Sequence, residues 1–536
     1  MLGRRRFVLG SGLLGTLACE RASTLEVEYA LVGQRPDRGH LLRSGELLTR
    51  SCSPGERTKV VIVGGGVAGL SAAWWLREQG LARDDMLLLE LEDGLGGTAR
   101  GARMSRSAHP LGAHYLPSPP PELPELERLL EQLGVLVGRD AQGRPEWQTT
   151  AICAAPDERH FYAGSWHGGL YPEQGQTQDE ADQWARFWTM LHTLDRARDS
   201  EGELLFRLPV RRSSPQMRAL DRLSMKQWLD ERGLTSWRLR WFVDYACRDD
   251  YGCGLAHCSA FAGLHHFLGR GLEDTREGVL LTWAEGNGRL IERMDALLEL
   301  GERKQLDQLV YAIEPDRGQL RVYDCVRDEC RTIEADAILW AAPRYLLPHV
   351  LPRGRDPLVP GTLTYAPWVV ANLELALAPA GVGAELAWDN VPVFEDGHAH
   401  DLGYVVATHG EGRDVIDPGT VITFYQPLVA DDAAGLAQQR ARLLAGDAHE
   451  WGEHAVRSLE RMHPRLRESL RAVHVHRWGH AMIRPVPGFL FGEGLARARE
   501  PIGRVLACAT DVGGLPLFEE AFSSAIEAAA WALRRI

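Results

Sequence analysis

Three glycines and a glutamate hold the clearest chemistry in the chain. Within KVVIVGGGVAGLSAAWWL (Lys59–Leu76), Gly64, Gly66 and Gly69 make the spacing G-x-G-x-x-G, with Gly65, Val67 and Ala68 between them. Each glycine answers a separate demand: Gly64 a tight turn, Gly66 close approach of a pyrophosphate to bare backbone, Gly69 close packing of a helix on a strand. A pyrophosphate there meets free N–H groups at a helix N-terminus, where the dipole favours negative charge. Glu90 follows Gly69 at about 20 residues, the interval at which an acid binds the hydroxyls of a ribose. An acid in that place disfavours a 2′-phosphate. These residues predict a bound dinucleotide and leave its identity open.

Other reactive side chains form no such pattern. The chain has nine cysteines. Cys325 and Cys330 could close a loop, since disulfides are allowed outside the cytoplasm. Cys247, Cys253 and Cys258, with His257, suggest a metal. No second close-spaced pair completes the four ligands of a structural site, so no metal is expected. His265 and His266, in LHHF, fall on an apolar helix-like run and read as structural histidines. No catalytic dyad stands out.

Around these residues, the pattern predicts the elements that must position them. Lys59–Val63 reads as a buried strand, with four β-branched residues after the lysine. A helix over Val67–Gln79 and a second strand, Met86–Glu90, complete the first unit. LPSPPPELPE (Leu116–Glu125) breaks the pattern. Helical segments follow, including LERLLEQLGVL and DEADQWARFWTMLHTL. QLDQLVYAIE and GQLRVYDCV read as strands separated by a turn, and ADAILWAAP (Ala335–Pro343) as another buried strand. IGRVLACATDVGG is a strand into a glycine-rich turn that leads to the helix FEEAFSSAIEAAAWALRR. Residues 20–58 read as an extended arm. There are no internal repeats and no transmembrane span.

Two further segments carry a resemblance. ELEDGLGGTARG (Glu90–Gly101) resembles the acid-plus-Gly-Gly signature of FAD-dependent amine oxidases and the related phytoene-desaturase-like flavoproteins. RVLACATDVGG…FEEAFSSAIEAA resembles the C-terminal flavin motif of the same superfamily. Between them, PLGAHYLP, WAEGNGRLIERM, ADAILWAAP and RWGHAMIRPVPG resemble its landmarks in order. The resemblance implies FAD as cofactor. It places Gly64–Gly69 at the pyrophosphate, Glu90 at the ribose, and Gly96, Gly97 and Thr98 beside the flavin. It places Gly112, Ala113, His114 and Tyr115 at the isoalloxazine, Val310 at the adenine, and Asp511 near the ribityl and phosphate end, at the start of the last helix. A carboxylate so close to phosphate must serve as a hydrogen-bond partner, because charge alone would repel. Three positions depart from the pattern: Glu92 and Thr98 stand where arginine is frequent, and Thr510 where glycine is usual.

The implied fold is α/β: a Rossmann-like, GR2-type FAD-binding domain with an inserted mixed α+β substrate domain. The FAD-binding domain is expected from 59–115, 280–345 and 470–536, and the substrate domain from 116–279 and 346–469. Flavin carries the hard step itself, so a separate acid or base is not obligatory and the catalytic residues stay unassigned. Trp478 would be an aromatic wall suited to an apolar or cationic substrate. His114 could switch charge near neutral pH or be a structural histidine. His480 is a weaker candidate of the same kind. CRDDYGC and WDNVPVFEDGHAHDLGYV are both dense in acids; Asp389, Glu395 and Asp396 of the second could attract a cationic amine, but such runs are more often solvated loops. Cys508 reads as a small buried residue. The expected activity is oxidation of an amine by hydride transfer to flavin N5, with electrons passed to oxygen or another acceptor. Desaturation or isomerisation of an apolar substrate is one alternative, and a non-catalytic flavin-binding redox scaffold is another.

The formal net charge of −13 argues against a nucleic-acid partner and leaves a small-molecule substrate. The N-terminus, MLGRRRFVLGSGLLGTLAC, puts Arg4–Arg6 before an apolar run too short to span a bilayer comfortably. Residues 1–19 read as a signal peptide of twin-arginine type, a route that exports folded, cofactor-loaded proteins. Cys19 closes a loose lipobox and would anchor the protein to a membrane surface. The expected location is the periplasm or the outer face of a bacterial inner membrane.

Overall fold

The computed structural model describes residues 27–33, 35–153, 158–272, 279–394, 401–407 and 418–536. The signal peptide, Cys19, Glu395 and Asp396 lie outside them. Along the chain come strand β1 (Glu28–Leu31), helix α1 (Pro36–Ser44), strand β2 (Ser53–Val63), helix α2 (Val67–Glu78) and strand β3 (Met86–Leu89). Helix α3 (Trp237–Tyr251) is followed by β4 (Gln308–Glu314), β5 (Gln319–Asp324), β6 (Glu329–Trp340), β7 (Tyr365–Leu375) and β8 (Asp389–Pro392). Then come β9 (Thr420–Pro427), β10 (Leu470–Ile483), β11 (Val505–Ala507) and helix α4 (Phe518–Leu533).

The first sheet is built around β2. It runs parallel to β3 on one side and β6 on the other, and β11 continues the parallel set beyond β6. Val60, Val61 and Ile62 have no exposed surface, as a strand covered on both faces requires. β4 and β5 extend the sheet as an antiparallel pair. Helices α2 and α4 pack on each other over this sheet, with Trp74 and Phe522 at 5.8 Å between ring centroids. Buried alanines at 72, 73, 525, 528 and 529 let the backbones approach. The crossover from β2 into α2 brings the helix N-terminus to the C-terminal ends of the strands, where α/β sheets bind ligands.

The second sheet has eight strands, including β1, β10, β7, β9 and β8. Its centre is the antiparallel pairing of β7 with β9 and β10, and all of β7 is buried. The chain is thus the α/β fold with a second, mixed α+β part that the sequence predicts.

Several expectations change. Residues 20–58 are no plain arm: β1 pairs in parallel with β10, α1 follows, and β2 starts at Ser53 rather than Lys59. Leu470–Ile483 was expected with the FAD-binding segments, yet it pairs with β7 in the second sheet, where Leu470, Val473 and Val475 pack into that sheet's core. The disulfide is Cys52–Cys330, not Cys325–Cys330; Cys52 leads into β2 alongside Cys330 of β6, and Cys325 is free. Asp511 lies in a separate helical turn, Thr510–Gly513, before the last helix begins at Phe518. Cys247, Cys253 and Cys258 are buried together without a metal-ligand set, and no group of three or more His, Cys, Asp or Glu that could hold a metal occurs among the described residues.

Candidate active site and cofactor channel

One cavity of about 990 Å³ runs between the two sheets. At one end it is lined by Gly64, Gly66, Val67, Ala68 and Glu90, with Val310 beside them. Gly96, Gly97, Thr98 and Asp511 line its middle, and Gly112, Ala113, His114, Tyr115 and Trp478 its far end. Of the residues singled out in the sequence for the cofactor, Gly65 and Gly69 do not reach this cavity. A Cβ on Gly69 would lie 1.9 Å from the Gly64 carbonyl oxygen, so this glycine serves the packing of α2 on β2. Gly65 donates its N–H to Glu90 at 2.6 Å, and a Cβ there would strike Leu95.

The geometry of the narrow end suits a dinucleotide. Gly66 is the N-cap of α2 and offers no side-chain cap, which leaves the first N–H groups of the helix to the cavity. A Cβ on Gly66 would meet nothing closer than 3.7 Å, so the space beside it is open for a ligand. Gly64, with φ of +108°, takes a turn that side chains rarely adopt. Glu90 accepts hydrogen bonds from Gly65 N–H at 2.6 Å and Glu92 N–H at 2.9 Å. Burial pushes its carboxyl up, and those N–H groups counter the push. Gly96 (φ +127°) and Gly97 (φ +55°) carry the chain past Gly66, held by Gly96 N–H to Gly65 O at 2.9 Å.

Asp511 is buried. Its Oδ2 accepts from the Arg344 N–H at 2.6 Å and the Tyr365 hydroxyl at 2.7 Å, while Oδ1 has no protein partner. An orphaned buried acceptor invites a donor from a bound molecule, and the ribityl hydroxyls of FAD would supply one. Burial pushes the carboxyl of Asp511 up, and the Tyr365 hydroxyl and the Arg344 N–H counter the push. These features fit FAD. Cys508, three residues earlier, is fully buried.

The far end is aromatic. Tyr115, Trp368, Tyr425 and Trp478 line it. Trp478 donates its indole N–H to Leu111 O at 2.6 Å, which fixes the ring across the Gly112 turn. The ring of His114 packs 4.7 Å from Tyr425 and 4.9 Å from Tyr115. Burial pushes His114 down to about 3, so it stays neutral through the physiological range and is no charge switch there. His480 is likewise held down to about 4 by burial and stacks on Tyr345 at 4.2 Å.

The acids behind these rings were the least legible part. CRDDYGC is not a solvated loop: Asp249 and Asp250 sit in the last turn of α3 and line the cavity. His266 Nδ1 lies 2.7 Å from Asp250 and its charge holds that carboxyl low against the cost of burial. His265, its neighbour, points instead to Arg207 O at 3.0 Å. Arg270 is taken by Glu519. Asp249 receives no hydrogen bond from any described residue, and burial, then Asp250 and Asp389, push its carboxyl well up. Asp389, on β8, accepts from the Tyr245 hydroxyl at 2.9 Å and is pushed up to about 7 by burial and by Glu158. It stands behind the aromatic wall rather than in the cavity. The signal in the sequence was the pair of acids closing an otherwise amphipathic helix.

Fold and cavity together define an FAD-dependent oxidoreductase. The chain belongs to the flavin containing amine oxidoreductase family, whose model matches residues 67–533. Among solved structures it is similar to putrescine oxidase bound to putrescine, at 16% identity and a TM-score of 0.61, covering 90% of this chain and 100% of that one. It is also similar to cyclohexylamine oxidase from Brevibacterium oxydans IH-35A, at 16% identity and a TM-score of 0.60, covering 89% and 99%. A third similar structure is the CLA-producing fatty acid isomerase from P. acnes, at 15% identity and a TM-score of 0.58, covering 89% and 98%. No curated protein sequence matches the chain.

Proposed function

We propose that this flavoenzyme oxidises a cationic amine. The observation that carries the reading is Asp249, an acid without a hydrogen-bond donor in the wall of a cavity that Tyr115, Trp368, Tyr425 and Trp478 also line. An ammonium group satisfies both features at once: the carboxylate pairs with its charge, and the ring faces attract it. An apolar substrate would bring no donor or charge to Asp249, which disfavours desaturation or isomerisation of a hydrocarbon. The extension of the cavity past Gly112–Tyr115 gives a substrate room, which disfavours a pure redox scaffold.

Bound FAD supplies the acceptor for hydride from the carbon beside the nitrogen. The residues of the chain prepare the substrate for that transfer. An ammonium must first lose a proton, because the nitrogen lone pair drives the departure of the hydride. The Asp249 carboxylate, made more basic by burial and by the neighbouring Asp250 and Asp389, is placed to accept that proton. As positive charge then develops on nitrogen, the surrounding ring faces stabilise it. The neutral imidazole of His114 adds no opposing charge.

The reading is tested by mixing the holo-protein anaerobically with a panel of amines and following loss of the oxidised flavin absorbance. Bleaching by an amine supports it. Bleaching only by unsaturated acids or carotenoid-like lipids, or by nothing, overturns it. We further propose that the protein is exported to the periplasm or anchored through Cys19 on the outer face of the bacterial inner membrane; the Cys52–Cys330 disulfide supports an oxidising compartment.

A further inference from the structure

The family match begins at Val67, and the segment before it crosses the cofactor channel. It is fixed on both sides. On the side of the second sheet, β1 pairs with β10, Val32 donates its N–H to Val475 O at 3.0 Å, and His476 Nδ1 lies 2.7 Å from Val32 O. In the middle, the N-cap of α1, Arg35, donates its backbone N–H to both carboxylate oxygens of Glu92 at 3.2 and 3.3 Å. The buried Arg38 donates to Leu91 O at 2.9 Å and pairs with Asp307. On the side of the first sheet, Cys52 is bonded to Cys330 of β6. The segment is therefore a strap tied to both walls of the channel, with α1 lying over the stretch that follows Glu90.

What the strap brings is charge. Around the narrow end, Gly64–Gly69 and Gly96–Thr98 carry no cationic side chain, and Glu90 and Glu92 are both acids. The pyrophosphate of FAD would find one source of positive potential there, the N-terminus of α2. Other cavity-lining cations are engaged: Arg100 with Asp93, Arg270 with Glu519, and Arg477 with the carbonyls of Leu443, Leu444 and Gly446. Arg440 donates to Tyr365 O. Arg35 and Arg43, at the two ends of α1, line the same cavity, and neither guanidinium has an ion-pair partner among the described residues. Both are exposed residues of its lining.

We propose that the strap is part of the cofactor site: α1 closes over the channel, and Arg35 and Arg43 bind the pyrophosphate of FAD from the side opposite the glycine loop. Glu92 has a positioning role, since it holds the N-cap that sets Arg35 in place. A guanidinium fork matches phosphate oxygens, so each arginine adds a charge-assisted pair.

The test is reconstitution of the full-length apo-protein, followed by quenching of flavin fluorescence, for the parent, R35A/R43A and R35K/R43K. FAD and riboflavin are titrated separately; riboflavin has the ring and the ribityl chain but no phosphate. R35A/R43A is expected to bind FAD about tenfold or more weakly, the equivalent of about 1.4 kcal/mol. Riboflavin affinity should stay within about twofold, and the lysine pair should recover only part of the loss, since it keeps the charge but not the fork. The substitutions are at exposed positions, and an unchanged melting temperature of the apo-protein confirms that the fold is intact. FAD affinity unchanged in R35A/R43A would overturn the proposal. So would an equal loss for FAD and riboflavin, which would mean that the strap acts on the shape of the channel and not on phosphate.

Discussion

His266 stands 2.7 Å from Asp250, and in doing so it leaves Asp249 as the acid of the cavity wall without a hydrogen-bond donor. Two adjacent carboxylates on one helix turn therefore have separate fates. One is half of a buried ion pair; the other faces the substrate end. Neutralising the second should be felt by a cationic substrate and by little else. Asp249→Asn is expected to lower kcat/KM for the best amine by about 100-fold, the scale of losing one desolvated charge pair. FAD content should not change. A kcat/KM within a factor of three of the parent would remove Asp249 from the account.

Asp389 offers a pH test that needs no substrate. Its folded-state value, about 7, is above that of a free aspartate. The native protein therefore holds a proton that the unfolded chain has already lost, and stability falls as pH rises from about 4 to about 7. The loss is a few kcal/mol at most. Asp389→Asn removes the titration while keeping a partner for the Tyr245 hydroxyl. Thermal melts at pH 5 and pH 8 should show the variant gaining on the parent at the higher pH. An equal difference at both would contradict the assignment.

Two glycines of the loop should separate folding from cofactor binding. Gly69→Ala puts a methyl 1.9 Å from the Gly64 oxygen, both atoms belonging to packed backbone, and should destabilise the apo-protein by about 1–3 kcal/mol. Gly66→Ala meets no atom within 3.7 Å and should leave the apo-protein melting as the parent does. Its methyl would occupy the approach of a pyrophosphate, so FAD retention should drop sharply. Equal effects of the two on apo stability would refute this division of labour.

This division also shows what the sequence could tell. The glycine loop, Glu90 and the Gly-Gly turn are local patterns whose spacing follows from one strand, one turn and one helix, so they read directly. The strands at β4, β5 and β6 were legible for the same reason. What escaped notice depends on distant pairing. Nothing near Cys52 in the chain announces Cys330, and the pairing exists because β2 and β6 are neighbours in parallel register. β10 looked like the start of the final FAD-binding segment, but its partner is β7. Asp249 and Asp250 passed for solvated charges because only the packing of α3 against the aromatic wall turns them inward.

The disulfide gives a further prediction. Cys52→Ser should lower the stability of the oxidised protein by about 2–4 kcal/mol, since the bridge closes a long loop, a sequence separation of 278. Chemical denaturation with and without dithiothreitol measures it. Reductant should shift the parent to the midpoint of the variant and leave the variant unmoved. A parent insensitive to full reduction would show that the strap is held by its hydrogen bonds alone.

The central claim is that the flavin is reduced by an amine held at Asp249. Anaerobic stopped-flow mixing of the holo-enzyme with its best amine substrate, read at the oxidised flavin band in parent and Asp249→Asn, tests it most directly. The account predicts single-turnover bleaching in the parent and, in the variant, bleaching slowed by about 100-fold at subsaturating amine. No bleaching of the parent by any amine, or equal rates in the two proteins, would contradict it.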